Sequence, residues 1–166
     1  MALPRILRML QGSGAHFNPA VSFGFALRRD LPWGQFAPYV LAQIAGGITG
    51  TWAAHVMFEL DVVQMSQTAR SGGSQWFSEF VATFGLMAVI LGGLKFRSDA
   101  VPWLVGLYIT AAYWFTASTS FANPAVAISR AVTDTFSGIR PVDLPGFITA
   151  ELAGATAAVA VLGWLL

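Results

Sequence analysis

The chain has 166 residues, 55% of them hydrophobic and only 10% charged, with a formal net charge of +1. A soluble domain carries about 25% charged residues, so this composition cannot coat a water-exposed surface. It excludes a disordered chain and a nucleic-acid-binding surface, and the absence of cysteine excludes a disulfide scaffold. What remains is an integral membrane protein. No signal peptide is evident, because residues 1–11 (MALPRILRMLQ) are too short and too interrupted to form one.

Crossing a hydrocarbon core takes about 20 apolar residues rising about 1.5 Å each. In chain order, the predicted spans are 36–60, 76–96, 101–117 and 144–166, the third being short and extendable by a turn. The first contains Gln43, Thr49, Thr51, His55 and Glu59; the second contains Glu79 near its start. Two further segments, 18–29 and 123–133, open with Asn-Pro-Ala and reach only about half the thickness of a membrane. Each opening is that of a helix N-terminus. Asn accepts from a free backbone N–H as N-cap, and Pro loses nothing at the first helical position.

The two boxes belong to an internal repeat. SGAHFNPAVSF (13–23) lies over TSFANPAVAI (119–128) at an offset of 105, and AQIAG (42–46) lies over AELAG (150–154) at an offset of 108. Half-helix, loop and full span thus occur twice, the pattern of a transport protein built from two related halves. The second unit has two spans before its box, and the first has 17 residues. By that symmetry, the expectation is that most of two N-terminal helices is missing. With residue 1 inside, Arg5, Arg8, Arg28, Arg29, Lys95 and Arg97 are cytoplasmic while Arg70, Arg130 and Arg140 are external, as the positive-inside rule requires.

At these residues the sequence resembles the major intrinsic protein (aquaporin and aquaglyceroporin) family from about Gly12 to the C-terminus. The resemblance implies an all-α integral membrane fold. This is an aquaporin-like bundle with an inverted repeat, two re-entrant half-helices and, here, four of the expected six transmembrane helices. The chain reads as one domain over 1–166: a non-homologous or remnant N-terminus (1–11), an incomplete first repeat (12–60) and a second repeat (74–166). The resemblance also implies a multi-pass protein of the plasma membrane, surrounded by lipid and usually a homotetramer. It implies no cofactor, no metal, no enzymatic activity and no nucleic-acid partner.

Residue by residue, the resemblance assigns Asn18, Pro19, Ala20, Asn123, Pro124 and Ala125 to the pore motifs. The two Asn side chains point N–H donors at a passing water or hydroxyl solute, and the opposed half-helix N-termini repel cations. The carbonyls of Gly14, Ala15, His16, Ser120, Phe121 and Ala122 form an acceptor ladder. Most members carry Arg after the second box, where this chain has Val126, which implies a wider and less polar constriction. Arg130 lies one turn beyond it and is a partial substitute for that charge. Ser120 offers a filter carbonyl. Aligning Gly106-Leu107 puts Tyr113 at the filter, whereas counting back from Asn123 puts Ala111 there.

Glu79 reads as a structural acceptor bracing the second loop. Gln43 and Glu151, at matching repeat positions, read as packing residues, and His16 as ordering the first loop. Gly46-x-x-x-Gly50 and Gly154-x-x-x-Ala158 read as close helix contacts. The functional expectation is a passive channel for water or small neutral solutes, glycerol-like or metalloid hydroxides. The alternative is a non-conducting fragment or a piece of a split channel lacking the first two helices.

Overall fold

A computed structural model describes residues 14–166, so the expectations for 1–11, including Arg5 and Arg8, lie outside the described residues. Among the described residues, six α-helices follow in chain order: α1 (Pro19–Leu27), α2 (Trp33–Met57), α3 (Gly73–Phe96), α4 (Val101–Phe115), α5 (Pro124–Arg130) and α6 (Leu144–Leu165). Single 3₁₀ turns, Ser98–Ala100 and Pro141–Asp143, lead into α4 and α6. Each half-helix starts on the proline after its Asn and ends two or three residues before the predicted boundary.

The four predicted spans are all helical, with one correction. Among the described residues, α3 and the Pro141–Leu165 segment are the helices both long enough and apolar enough, by length and composition, to cross a membrane. α4 has 15 residues, lengthened at its N-terminal end by the 3₁₀ turn. α2 has ample length at 25 residues but carries polar side chains that turn toward the half-helices. Gln43 donates to Ser22 Oγ at 2.9 Å, Thr51 to Ser129 O at 3.4 Å, and His55 Nε2 pairs with Thr133 Oγ1 at 2.9 Å. These groups lower the helix's hydropathy while finding partners on or just beyond the half-helices.

α3 packs most extensively on α6; the first half-helix rests on this pair, chiefly on α6, and the second lies between α2 and α6. Gly154 makes this approach possible: a Cβ there would collide with the Phe80 carbonyl on α3. Ala155 and Ala158 continue the buried small-residue stripe. α1 is buried on most of its surface, and its Gly24 faces Met87 of α3 and Val159 of α6. α5 packs against α2 through Gly47, which faces Ser129 and the Ala125 carbonyl, whereas Gly46 and Gly50 meet nothing. The contact glycine on α2 is therefore Gly47, not the predicted 46/50 pair. Gly46 and Gly47 are neighbours in the same helix, and only the position of α5 distinguishes them.

Candidate functional site: the two Asn-Pro-Ala boxes

Asn18 and Asn123 each perform two tasks. Each is an extended N-cap whose Oδ1 accepts from the first turn of its own helix. The distances are 2.8 Å to Ala20 N–H and 3.4 Å to Val21 N–H for Asn18, and 3.0 and 3.3 Å to Ala125 and Val126 for Asn123. Each side-chain NH₂ then crosses to the other box. Asn18 Nδ2 donates to Ala122 O at 2.6 Å, and Asn123 Nδ2 donates to Phe17 O at 2.9 Å. The acceptor in each case is the residue immediately before the opposite Asn, so the clasp is reciprocal. Asn18 is 5% exposed, while Asn123 is partly open.

The backbone leading into each box repeats as well. Gly14, Ala15 and Phe17 have φ of 72°, 48° and 49°; at the same offset of 105, Thr119, Ser120 and Ala122 have 63°, 48° and 48°. Five of these six are not glycine, and each left-handed residue of that kind costs about 1–2 kcal/mol. Something must hold the loops in this form. For the second loop it is a pair of buried carboxylates, both 0% exposed. Glu79 on α3 accepts from Phe121 N–H at 2.9 Å and Ala122 N–H at 2.6 Å, and Glu151 on α6 accepts from Asn123 N–H at 2.9 Å. Three successive amides that no helix satisfies thereby gain acceptors.

The first loop is held by neutral groups. His16 N–H donates to the Tyr39 hydroxyl at 3.0 Å, its Nδ1 pairs with Ser22 Oγ at 3.1 Å, and Gln43 donates to the same Ser22. A cavity of about 310 Å³ opens beside this loop, lined by Gly14, His16, Asp30, Leu31, Pro32, Gln35 and Tyr39.

The remaining predicted site residues lie as follows. Two of the carbonyls at the boxes, those of Phe17 and Ala122, are engaged in the clasp rather than free, which removes Ala122 from the open ladder. Ser120 is 2% exposed and its Oγ has no partner. Val126 packs against a buried cluster of Phe121, Ala127, Ala131, Ile139 and Phe147. Tyr113 is 45% exposed on α4.

Sequence reasoning missed two residues. Glu151 was read as packing, although its match to Gln43 in the repeat and its intramembrane carboxyl marked it. Arg70 carried no signal except its sign. It lies in the connection between α2 and α3 and donates from Nε to Gly138 O at 2.7 Å, from Nη2 to Phe136 O at 2.9 Å and from Nη1 to Ser118 O at 3.3 Å. Burial, and then the neighbouring Arg130, hold its guanidinium below the usual range. It remains a cation nonetheless.

The family profile described as "Major intrinsic protein" matches residues 5–100. The chain is 64% identical over 154 residues to aquaglyceroporin AqpS of Rhizobium meliloti (strain 1021), covering 93% of this chain and 66% of that protein. It is 40% identical over 82 residues to nodulin-26 of Glycine max (48% of this chain, 30% of that protein). It is 37% identical over 87 residues to aquaporin NIP3-1 of Arabidopsis thaliana (47% and 27%). The chain thus spans less than two thirds of the length of these relatives. It belongs to the major intrinsic protein family and carries that family's all-helical, membrane-embedded fold.

Proposed function

We propose that the chain forms part of a passive membrane pathway for water and small neutral solutes, glycerol-like or metalloid hydroxides, and that it performs no enzymatic step. The observation that carries this reading is the reciprocal clasp of Asn18 and Asn123. An amide NH₂ has two hydrogens. One is used in each clasp, which fixes the side chain and leaves the second to donate to a solute. Two fixed donors side by side turn a passing water's oxygen toward them and interrupt a proton relay. Carbonyls of the non-helical approaches, Gly14–His16 on one side and Ser120–Phe121 on the other, supply acceptors before and after this point. Irregular backbone of this kind is tolerated at membrane depth where it is buried in protein or lines a wet cavity.

Val126, with Ser120 and Tyr113 as further filter positions, supports a constriction wide enough for solutes larger than water. The relative named an aquaglyceroporin supports the same size class. A homotetramer in the plasma membrane is the assembly we propose.

The test is light scattering from proteoliposomes carrying the inserted chain. Glycerol-driven swelling above that of empty vesicles is expected, as is its reduction by Val126→Trp. Well-inserted protein that adds no permeability to water or glycerol would refute the reading.

A further inference from the structure

Two guanidinium groups converge on one buried ring. The Cζ of Arg130 lies 4.3 Å from the centroid of Phe121, and that of Arg70 lies 5.1 Å away. They arrive from different parts of the chain. Arg130 ends α5, four residues and one turn beyond Val126 on the same side of that helix. Arg70 comes from the connection between α2 and α3, and its three side-chain bonds to carbonyls leave it no freedom to swing away. The face of an aromatic ring attracts cations, which offsets the mutual repulsion of the pair. Phe121 is itself pinned edge-on to Phe147 at 5.2 Å, and its N–H is held by Glu79.

Neither cation forms a salt bridge among the described residues, and the buried Glu79 carboxylate that holds the Phe121 N–H acts on Arg70 only through space. Among the described residues, the ion pairs are Arg28–Asp30, Arg97–Asp99 and Arg140–Asp143. Asp143 is occupied by Arg140 and by the backbone N–H of Arg70, and Asp134 by the backbone N–H of Gln67. Two guanidinium groups without a salt bridge therefore meet on Phe121, the residue after Ser120, and one of them stands a helical turn from Val126.

We propose that Arg70 and Arg130 form a two-cation collar at the outer mouth, taking over the charge that Val126 does not supply. The collar rests on the pathway proposed above and deepens it. Size and charge selection are separated: Val126 sets the width, and the collar set back around Phe121 keeps out cations. Arg70 is the specificity-determining residue of the pair that no motif reveals.

The chain contains no cysteine, so a single Val126→Cys substitution gives one reporter thiol. The measurement is its reaction, in proteoliposomes, with anionic and cationic methanethiosulfonates added from outside. The expected result is faster labelling by the anionic reagent. Arg70→Gln combined with Arg130→Gln should lower the anionic-to-cationic rate ratio on the order of 10-fold. Arg130→Gln alone, whose side chain gives up no hydrogen bond among the described residues, should lower it by a smaller factor and guards against misfolding. An unchanged ratio in both variants overturns the collar, as does a thiol that neither reagent reaches. Glycerol swelling of vesicles carrying the cysteine-free chain separates the two readings. A shifted ratio without glycerol flux leaves the collar standing and removes the pathway.

Discussion

Glu79 and Glu151 divide three successive amides between them from different helices, Glu79 holding the N–H groups of Phe121 and Ala122 and Glu151 that of Asn123. The close crossing of α3 and α6 at Gly154 brings the two carboxyls to one place. The second half-helix is thus positioned by side chains from both α3 and α6, not by its own seven residues. A segment that short cannot hold itself helical.

Glu79 is expected to show a graded response. Its two oxygens serve two different amides, so Glu79→Gln keeps one acceptor and Glu79→Ala keeps none. Each buried N–H left unsatisfied costs about 1–3 kcal/mol. The order of thermal stability in detergent should be parent, Gln, Ala, with solute flux falling in the same order. Equal stability of Gln and Ala variants would show that only one of the two bonds matters.

Glu151 should behave differently. Only its Oε1 has a partner, and Oε2 is buried without one. A glutamine retains that acceptor, and glutamine is what the first repeat has at the matching position, Gln43. Glu151→Gln is therefore expected to preserve both stability and flux, and Glu151→Ala to lose both. A Gln variant as damaged as the Ala variant would mean that the carboxyl acts as more than an acceptor for Asn123.

Much of this arrangement was legible in the residues. Asn followed by Pro marks each half-helix, and the offset of 105 pairs the two boxes down to their left-handed residues. The polar residues of the first span were visible, but their direction was not. Gln43, Thr51 and His55 become intelligible only when the half-helices they bind are in place. Arg70 was illegible for a similar reason. A loop arginine whose partners lie 48 to 68 residues away leaves no local pattern.

The clasp can be separated from the caps. Asn18→Asp keeps an oxygen for Ala20 and Val21 but removes the donor to Ala122 O. Asn18→Ala removes both, and loss of a cap alone costs about 0.5–2 kcal/mol. The Asp variant is expected to fold while losing the cross-link, with reduced flux. Its coupling to Asn123→Asp in a double-mutant cycle should be non-zero, since the two bonds close one ring of contacts. Additive effects on stability would place the two clasp bonds in independent environments.

The glycines give the last test, because they separate propensity from packing. Alanine is a better helix former than glycine by about 1 kcal/mol wherever its methyl group finds room. At Gly46 nothing lies in the way, so Gly46→Ala should leave stability unchanged or raise it. At Gly154 the new methyl would run into the Phe80 carbonyl, a backbone atom that cannot rotate aside. The α3–α6 wall would have to separate, and Glu79 and Glu151 would part with it. Gly154→Ala is therefore expected to lower the melting temperature and also to abolish flux. Gly47→Ala should fall between the two, because the obstacle there is mainly the Ser129 hydroxyl, which can turn away. Thermal melts of the three variants in one detergent would rank them, and a Gly154→Ala variant as stable as the parent would show that the wall is not held at this crossing.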